Sequence, residues 1–584
     1  MNRKPNLTAL QDLGKRVENS ISLVAPALVL AFFCLHDWWG PDFFYHLFLG
    51  REVWIQKTVQ PVDHLAIRQT GYINQYWLFQ SILYWAHQAA GFWGVRVVFV
   101  SAWLGVFWNW SRLFKGKVST GLTGALLLFG VVLIQHRMEY RPEVFSYLFA
   151  SICIRLLYDW MNEPRWEAGW QTKSILLWCL LQWTWSNCHG YFFLGTALEG
   201  LATLNQLLEG SKQSAKQFAA LTVLGALAVL LPPLGWKSWW DFWHLFLFLG
   251  DMSSKIEEFL PSYTSIYLRS WSTKLFWVFW ILTLTLLPFA KNSSRKYFRL
   301  GLASVALYLS AMHYRNIPLL PLFAAPLWAE TLHALLSAKT SRGREAAWMV
   351  AVLICSSWIL YTVVTNKYFW SRYSEARFAA EPSESAYPVA FKTYLEHNSF
   401  DGLIFNPPSD GGYLEFYFPS LRLYGDSRFV DYEPVMEYFR AGDQPELFEK
   451  LHSREHFDGV LLWILKDQRM VLHLMKHPDW RLVYSDLYRA FFASRSSEKA
   501  RALPAWPPDW SALDRWQLGD NKARIKQWLL FYGHLQQREQ FYSLFGELEK
   551  RHAAVPDFCA IGTRTGTEMG DAQMVARSRG LCSQ

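Results

Sequence analysis

The sequence predicts a polytopic α-helical membrane protein of about 11 spans, followed by an extracytoplasmic α/β domain and a helical tail. Three observations carry that prediction. Apolar runs close to the length of a bilayer span recur through the first two thirds of the 584 residues. Lys and Arg gather in alternate connections between those runs. The last third changes to short apolar runs bounded by Gly, Asp and Pro, which is the pattern of strands.

The apolar runs are 18–36, 93–112, 118–135, 143–160, 174–187, 190–208, 217–234, 274–290, 299–313, 316–333 and 347–365. Several are short for a span, so tilt or flanking aromatic residues must complete them. A chain that is 52% hydrophobic and 17% aromatic is too apolar for an ordinary soluble enzyme, and its 32 Trp suit aromatic belts at two membrane surfaces. Residues 18–36 have a basic flank but no small-residue cleavage pattern, and so read as an anchor that is retained.

Orientation follows from the basic clusters: Arg3, Lys4, Lys15 and Arg16; Arg112, Lys115 and Lys117; Lys212 and Lys216; Lys291, Arg295, Lys296 and Arg299; Lys339, Arg342 and Arg344. With eleven spans they all fall on one side, the cytoplasmic one. Residues 76–90 (YWLFQSILYWAHQAA) would invert every later cluster if they spanned, and they carry Gln80, His87 and Gln88. They are therefore expected to lie along the outer interface, as are residues 43–57. The N-terminus is then cytoplasmic, and everything after residue 365 is periplasmic or extracellular.

Three parts result: a transmembrane domain over 1–365, an α/β domain over 366–503 and a helical domain over 504–584. Strands are expected at 402–406, 421–426, 458–465 and 480–495, and helices at 384–397, 433–440 and 443–453. After the linker PAWPP, the spacing of Trp528, Leu529, Phe531, Tyr532, Phe541 and Leu544 predicts one or two helical hairpins, tetratricopeptide-like in one reading and suited to holding a partner protein. The net charge of +9 does not point to nucleic acid, because the basic residues lie in short clusters between apolar runs. Of seven Cys, Cys559 and Cys582 share a polar region where a disulfide could form outside the cytosol; the others show no metal-ligand spacing.

Chemistry is expected where polar residues meet the outer surface. Residues 37–77 bring together Asp37, Asp42, Asp63, His46, His64 and many aromatic residues, and Asp42 and His46 share a helical face. Ionisable groups at a membrane surface are costly to keep unless they act. Alternatively, Asp37 or Asp42 only caps the helix that follows. The same outer side collects Arg137, Glu139, Arg141, Glu143, Asn187, His189, Glu257, Glu258, His313, Arg315 and Asn316, although Arg141-Pro142 and His189-Gly190 also suit plain span ends and turns.

Several segments together resemble the GT-C class of membrane glycosyltransferases, and within it a group of bacterial multi-span membrane proteins. They are GPDFFYHLFLGR (40–51), PVD (61–63), YWLFQ (76–80), RPEVFSYL (141–148), SNCHGYFFLG (186–195), IEEFLPSY (256–263), RNIPLL (315–320), SDGGYLEF (409–416) and YGDSRF (424–429). The resemblance runs from about residue 18 to 495 and rests on the order and spacing of the segments. Two positions depart from it. Gly40 stands where the first Asp of an Asp-x-Asp pair is usual, and Tyr76 where an acidic residue is frequent. Both changes remove carboxylates and weaken the case for a divalent metal, so no cofactor is expected.

The resemblance implies transfer of a hexosyl or pentosyl group from a polyprenyl-phosphate-linked donor to a glycan, lipid or protein acceptor at the outer face of a bacterial inner membrane. Asp42 is then the expected base, with Asp37 or Asp63 second. Arg141 and Arg315 would meet the leaving phosphate, and His46, Glu143, Asn187 and His189 would position donor phosphate or sugar. Glu257, Glu258, Asp410, Asp426 and Arg428 are candidates on the acceptor side, though Asp-Gly-Gly at 410–412 also makes an ordinary turn. Two other readings stay open: a catalytically degenerate protein that binds lipid-linked glycan or anchors a partner, and a transporter or flippase.

Overall fold

The computed structural model describes residues 7–37, 39–61, 73–161, 163, 166, 171–243, 257–290, 295–336, 342–370, 377–426, 432–464, 466–486, 488–504, 529, 532, 538–550 and 558–582. They fall into two compact units that meet at the Ser383–Glu384 bond.

The first unit is helical. Its main helices are α1 (Leu7–Phe33), α2 (Phe43–Gln56), α3 (Trp77–Phe114), α4 (Thr120–Ile134), α5 (Glu143–Trp160), α6 (Thr172–Ser186), α7 (Phe193–Leu208), α8 (Lys212–Ala228), α9 (Trp271–Leu286), α10 (Lys296–Met312), α11 (Leu319–Leu336) and α12 (Arg342–Val364). Every apolar run in the sequence overlaps one of these helices. Four stretches, Trp77–Phe114, Thr120–Arg137, Trp271–Phe289 and Gly343–Val364, are long and apolar enough to cross a membrane, and Ser20–Phe33 is a shorter apolar helix. Large apolar side chains such as Trp85, Leu176, Ile354 and Trp358 point outward, which water would penalise and lipid would not. Together with the fold, this makes the chain a membrane protein.

The sequence separates 76–90 from 93–112, whereas the structure joins them in α3 with a break at Ala90 and Gly91. Gly91 has φ +56°, a left-handed conformation that glycine adopts without strain, so the chain changes direction there and continues as helix. The first half of α3 packs against α2. That approach depends on Gly50, where a β-carbon would lie only 2.2 Å from the carbonyl oxygen of Gln80.

The second unit holds a five-stranded sheet in the order β2-β1-β3-β5-β4. Its elements are α13 (Val389–His397), β1 (Leu403–Phe405), α14 (Pro408–Tyr417), β2 (Arg422–Leu423), α15 (Tyr432–Asp443), α16 (Pro445–Glu455), β3 (Gly459–Trp463), α17 (Gln468–Lys476), β4 (Trp480–Ser485) and β5 (Arg489–Ser494), followed by α18 (Arg538–Lys550), α19 (Phe558–Glu568) and α20 (Ala572–Cys582). β1 runs parallel to β2 and β3, and β5 runs antiparallel to β3 and β4. Leu529, Tyr532, Phe541, Leu544 and Phe545 of the tail belong to the same apolar cluster as Phe405, Val460 and Phe492 of the sheet. The tail and the α/β part therefore share one core. Cys559 is disulfide-bonded, while Cys34, Cys153, Cys179, Cys188 and Cys355 are free.

Candidate active site

α4 ends in a single 3-10 turn, Gln135–Arg137, and Pro142 caps the start of α5. A proline is tolerated there because the first helical N–H groups have no partner within the helix. The sharp corner between the two helices crowds Arg137, Glu139, Arg141 and Glu143 together. Two other corners reach the same place: the turn Glu257–Phe259, and the turn Tyr314–Asn316 between α10 and α11.

The result is one ion network. Arg137 places Nη2 2.5 Å from Glu143 Oε2 and Nη1 2.7 Å from Glu258 Oε2. Arg141 reaches the same Glu258 oxygen at 3.0 Å through Nη1. Its Nε lies 2.9 Å from Glu139 Oε2 and 3.5 Å from Asp42 Oδ2. Arg315 pairs with Glu143 Oε1, stands 3.3 Å from Glu258 Oε1 and rests over the ring of Phe259. Three guanidiniums thus face four carboxylates, a near balance without which the desolvation of so many charges would not be offset. Burial pushes the Glu258 carboxyl up, but Arg141, Arg137 and Arg315 outweigh it and hold it down at about 2.

Asp42 is the N-cap residue of α2, yet its side chain makes no capping bond. Its carboxylate is partly exposed and faces Arg141 instead. Gly40 has φ +82°, and a β-carbon on it would sit 3.3 Å from Arg141 Nε and 3.4 Å from Glu139 Oε2. The carboxylate of Glu139 therefore lies where a side chain at position 40 would point. Asp42 and Glu139 both approach Arg141 Nε, so a positive charge already stands between them. That donor set does not fit a divalent ion.

Beside the network lies a neutral polar patch. His189 accepts from the Tyr191 N–H at 3.2 Å and bonds Ser146 at 2.8 Å, both through Nδ1. Burial pushes its imidazole down to about 3, so it is neutral with its hydrogen on Nε2. His46 is also buried and lowered to about 3, by desolvation first and by the nearby positive charge of Arg141 after it. His46 contacts Gln80 at 3.3 Å, and Gln80 in turn accepts from Asn74 at 2.8 Å. The ring of Tyr76 lies 5.4 Å from His46 and 5.7 Å from His189, so an aromatic wall stands where the resemblance expects an acid.

Other expected site residues are engaged elsewhere. Asp37 is buried, and its Oδ1 accepts the Arg377 N–H at 2.5 Å. Nearby Arg96 stacks on Trp39 and donates to the carbonyls of Ala379 and Ala380. Both residues hold the segment that leads out of the first unit. Asn187 accepts from Trp77 Nε1 at 2.6 Å, and its carbonyl receives the Leu78 N–H, which pins the start of α3. In the second unit, the GGYL stretch expected at a strand end is helix α14. Asp410 lies in its first turn with both oxygens on Arg489, at 2.7 and 2.8 Å, and no exposed surface. Asp426 follows Gly425, whose carbonyl accepts from Asn406. Asp63, Arg428 and the side chain of Glu257 lie outside the described residues.

Arg137, Glu139 and Arg489 have no assigned role in the sequence reading. For the first two the signal is present: HRMEYRP alternates acid and base over seven residues at a helix corner. Arg489 gives none, because it sits in a strand of apolar neighbours.

A helical membrane unit with a charged cluster at its helix corners, followed by a mixed domain, is similar in fold to solved membrane oligosaccharyltransferases. One solved structure that it resembles is the archaeal oligosaccharyltransferase AglB from Archaeoglobus fulgidus in complex with an inhibitory peptide and a dolichol-phosphate. The TM-score is 0.56 at 10% identity, over 96% of this chain and 86% of that one. The oligosaccharyltransferase of that organism tethered through a disulfide to an acceptor peptide containing the NVT sequon gives 0.52 at 11% identity, over 96% and 87%. Its apo form gives 0.51 at 10% identity, over 83% and 75%. No protein-family model and no curated protein matches the sequence. At such identities the likeness is one of fold.

Proposed function

We propose that this protein is an integral membrane glycosyltransferase that moves a sugar from a polyprenyl-phosphate-linked donor to an acceptor on the outer face of a bacterial inner membrane. In this reading its helices make about eleven spans, with the N-terminus cytoplasmic and the second unit outside. The observation that carries it is the approach of Arg141 and Arg315 to one carboxylate, Glu258, with Asp42 beside Arg141.

Asp42 takes the proton from an acceptor hydroxyl or amine as that atom attacks the anomeric carbon. The bond from that carbon to the phosphate oxygen breaks, and the electron pair leaves with the phosphate. Arg141 and Arg315 meet the charge that develops there with paired N–H donors. Inversion follows from attack opposite the leaving group. Glu258 already fills the space between the guanidiniums, so the donor phosphate must displace it. Transfer needs no metal in this scheme, and Glu143 keeps Arg137 and Arg315 in position.

The test uses full-length protein in proteoliposomes with a panel of radiolabelled hexosyl- and pentosyl-phosphate polyprenols, comparing Asp42→Asn with wild type. Transfer by wild type that drops at least about 100-fold in the variant supports the reading; equal transfer by both removes Asp42 from the mechanism. A second reading, a degenerate binder of lipid-linked glycan, is favoured by one observation: every guanidinium in the network already has a carboxylate partner. It predicts donor binding without transfer by wild type.

A further inference from the structure

Outside this network, one cluster among the described residues has the chemistry of a ligand site. α16 and α17 lie side by side over the sheet, their inner faces contributing Phe448 and Leu451 on one helix and Met470, Val471 and Leu474 on the other to the core. On the outward side, Glu449 of α16 faces His473 of α17 and His477 immediately beyond its end. Glu449 Oε1 is 2.8 Å from His473 Nε2 and 3.7 Å from His477 Nε2. The donor atoms of all three lie within 4.8 Å of one another.

We propose that Glu449, His473 and His477 form a zinc site that ties α16 to α17. His473 lies in the last turn of α17 and His477 caps its end four residues on, which leaves the two imidazoles side by side. Tetrahedral zinc with bonds of about 2.0–2.2 Å holds its ligand atoms about 3.3–3.6 Å apart, and the two separations from Glu449 bracket that value. Two imidazoles and a carboxylate suit zinc and not calcium or magnesium, which take oxygen donors. Three protein ligands leave a fourth position for water. His477 Nδ1 now accepts the Asp479 N–H at a long 3.3 Å; coordination through Nε2 moves the ring proton to Nδ1, and this contact is given up. The side chains are partly exposed, so the ion has a path in.

The alternative is a plain Glu449–His473 hydrogen bond with no metal, and experiment separates the two. Full-length protein in detergent is stripped with chelator and titrated with Zn²⁺ by calorimetry, beside the double variant His473→Ala/His477→Ala and the single variant Glu449→Gln. One Zn²⁺ per chain at micromolar or tighter affinity is expected. It should be lost in the double variant and weakened at least tenfold in Glu449→Gln. Co²⁺ in wild-type protein should give the intense visible bands of four-coordinate geometry, a readout that needs no variant. Failure of wild type to bind at micromolar Zn²⁺, equal uptake by the double variant, or a pale six-coordinate Co²⁺ spectrum would each overturn the site.

Discussion

The carboxylate of Glu258 touches the guanidinium of Arg137 at 2.7 Å and that of Arg141 at 3.0 Å through the same oxygen, while its other oxygen faces Arg315. In the proposed mechanism the donor phosphate would take the place of this single acidic group, which now reaches three cations. Replacing it with the neutral isostere, Glu258→Gln, should tighten binding of a polyprenyl-phosphate analogue about tenfold, because a competing anion has been removed. Titration of the purified variants against a fluorescent analogue measures this, and weaker binding by the variant would show that Glu258 helps rather than competes.

The same depressed carboxyl sets a pH dependence. Its folded-state value, about 2, lies below the ordinary Glu value near 4.3, so its contribution to stability is present above that ordinary value and is lost as pH falls toward 2. Thermal unfolding of wild type and Glu258→Gln should therefore differ most above about pH 4.5 and converge toward pH 2. Parallel curves across that range would mean that the arginines do not hold this group.

Glu143 is the buried keystone, with one oxygen on Arg137 and the other on Arg315. Truncation to Ala leaves two guanidiniums short of a counter-charge in a dry corner, which typically costs about 3–5 kcal/mol. Melting in detergent should show a large loss for Glu143→Ala and a small one for Asp42→Asn, whose carboxylate is partly exposed.

Asp37 provides the opposite sign. Burial raises its carboxyl from the ordinary range to about 6, against the Arg377 N–H that lowers it. An acid raised in this way contributes stability below about pH 4 that is lost as pH rises through 6. Asp37→Asn keeps an oxygen to accept that N–H and removes the buried charge. At pH 7.5 it should therefore match or exceed wild type in melting temperature, with the gain fading below pH 4, and it should retain transfer. Loss of transfer at unchanged stability would place Asp37 in the chemistry after all.

In the second unit, Asp410 and Arg489 are both fully buried and bonded through two oxygens, and Arg489 also donates to the carbonyls of Glu384, Ala386 and Tyr387. Asp410→Ala strands a buried guanidinium and should cost about 3–5 kcal/mol. Proteolysis of the 384–584 unit in the intact protein would report it as faster cleavage. A variant as resistant as wild type would return Asp410 to the acceptor-side candidates.

The sequence by itself determined the apolar helical runs of the first unit and the strands after residue 384, but not helices α14 and α17 or the joining of 76–90 to 93–112 in α3. The runs and strands follow from periodicity and from the cost of charge in lipid, which act over a few turns of chain and leave a readable pattern. Only the tertiary structure decided which polar residues meet. Asp37 and Asp42 look alike in the sequence, yet one holds a backbone segment and the other faces Arg141, because the left-handed turn at Gly40 between them points the chain in a new direction. Glu139 fills the space beside Gly40, and Glu258 joins Arg137 from far along the chain. Pairings of this kind depend on the closure of distant helix corners in three dimensions, and no local pattern encodes them.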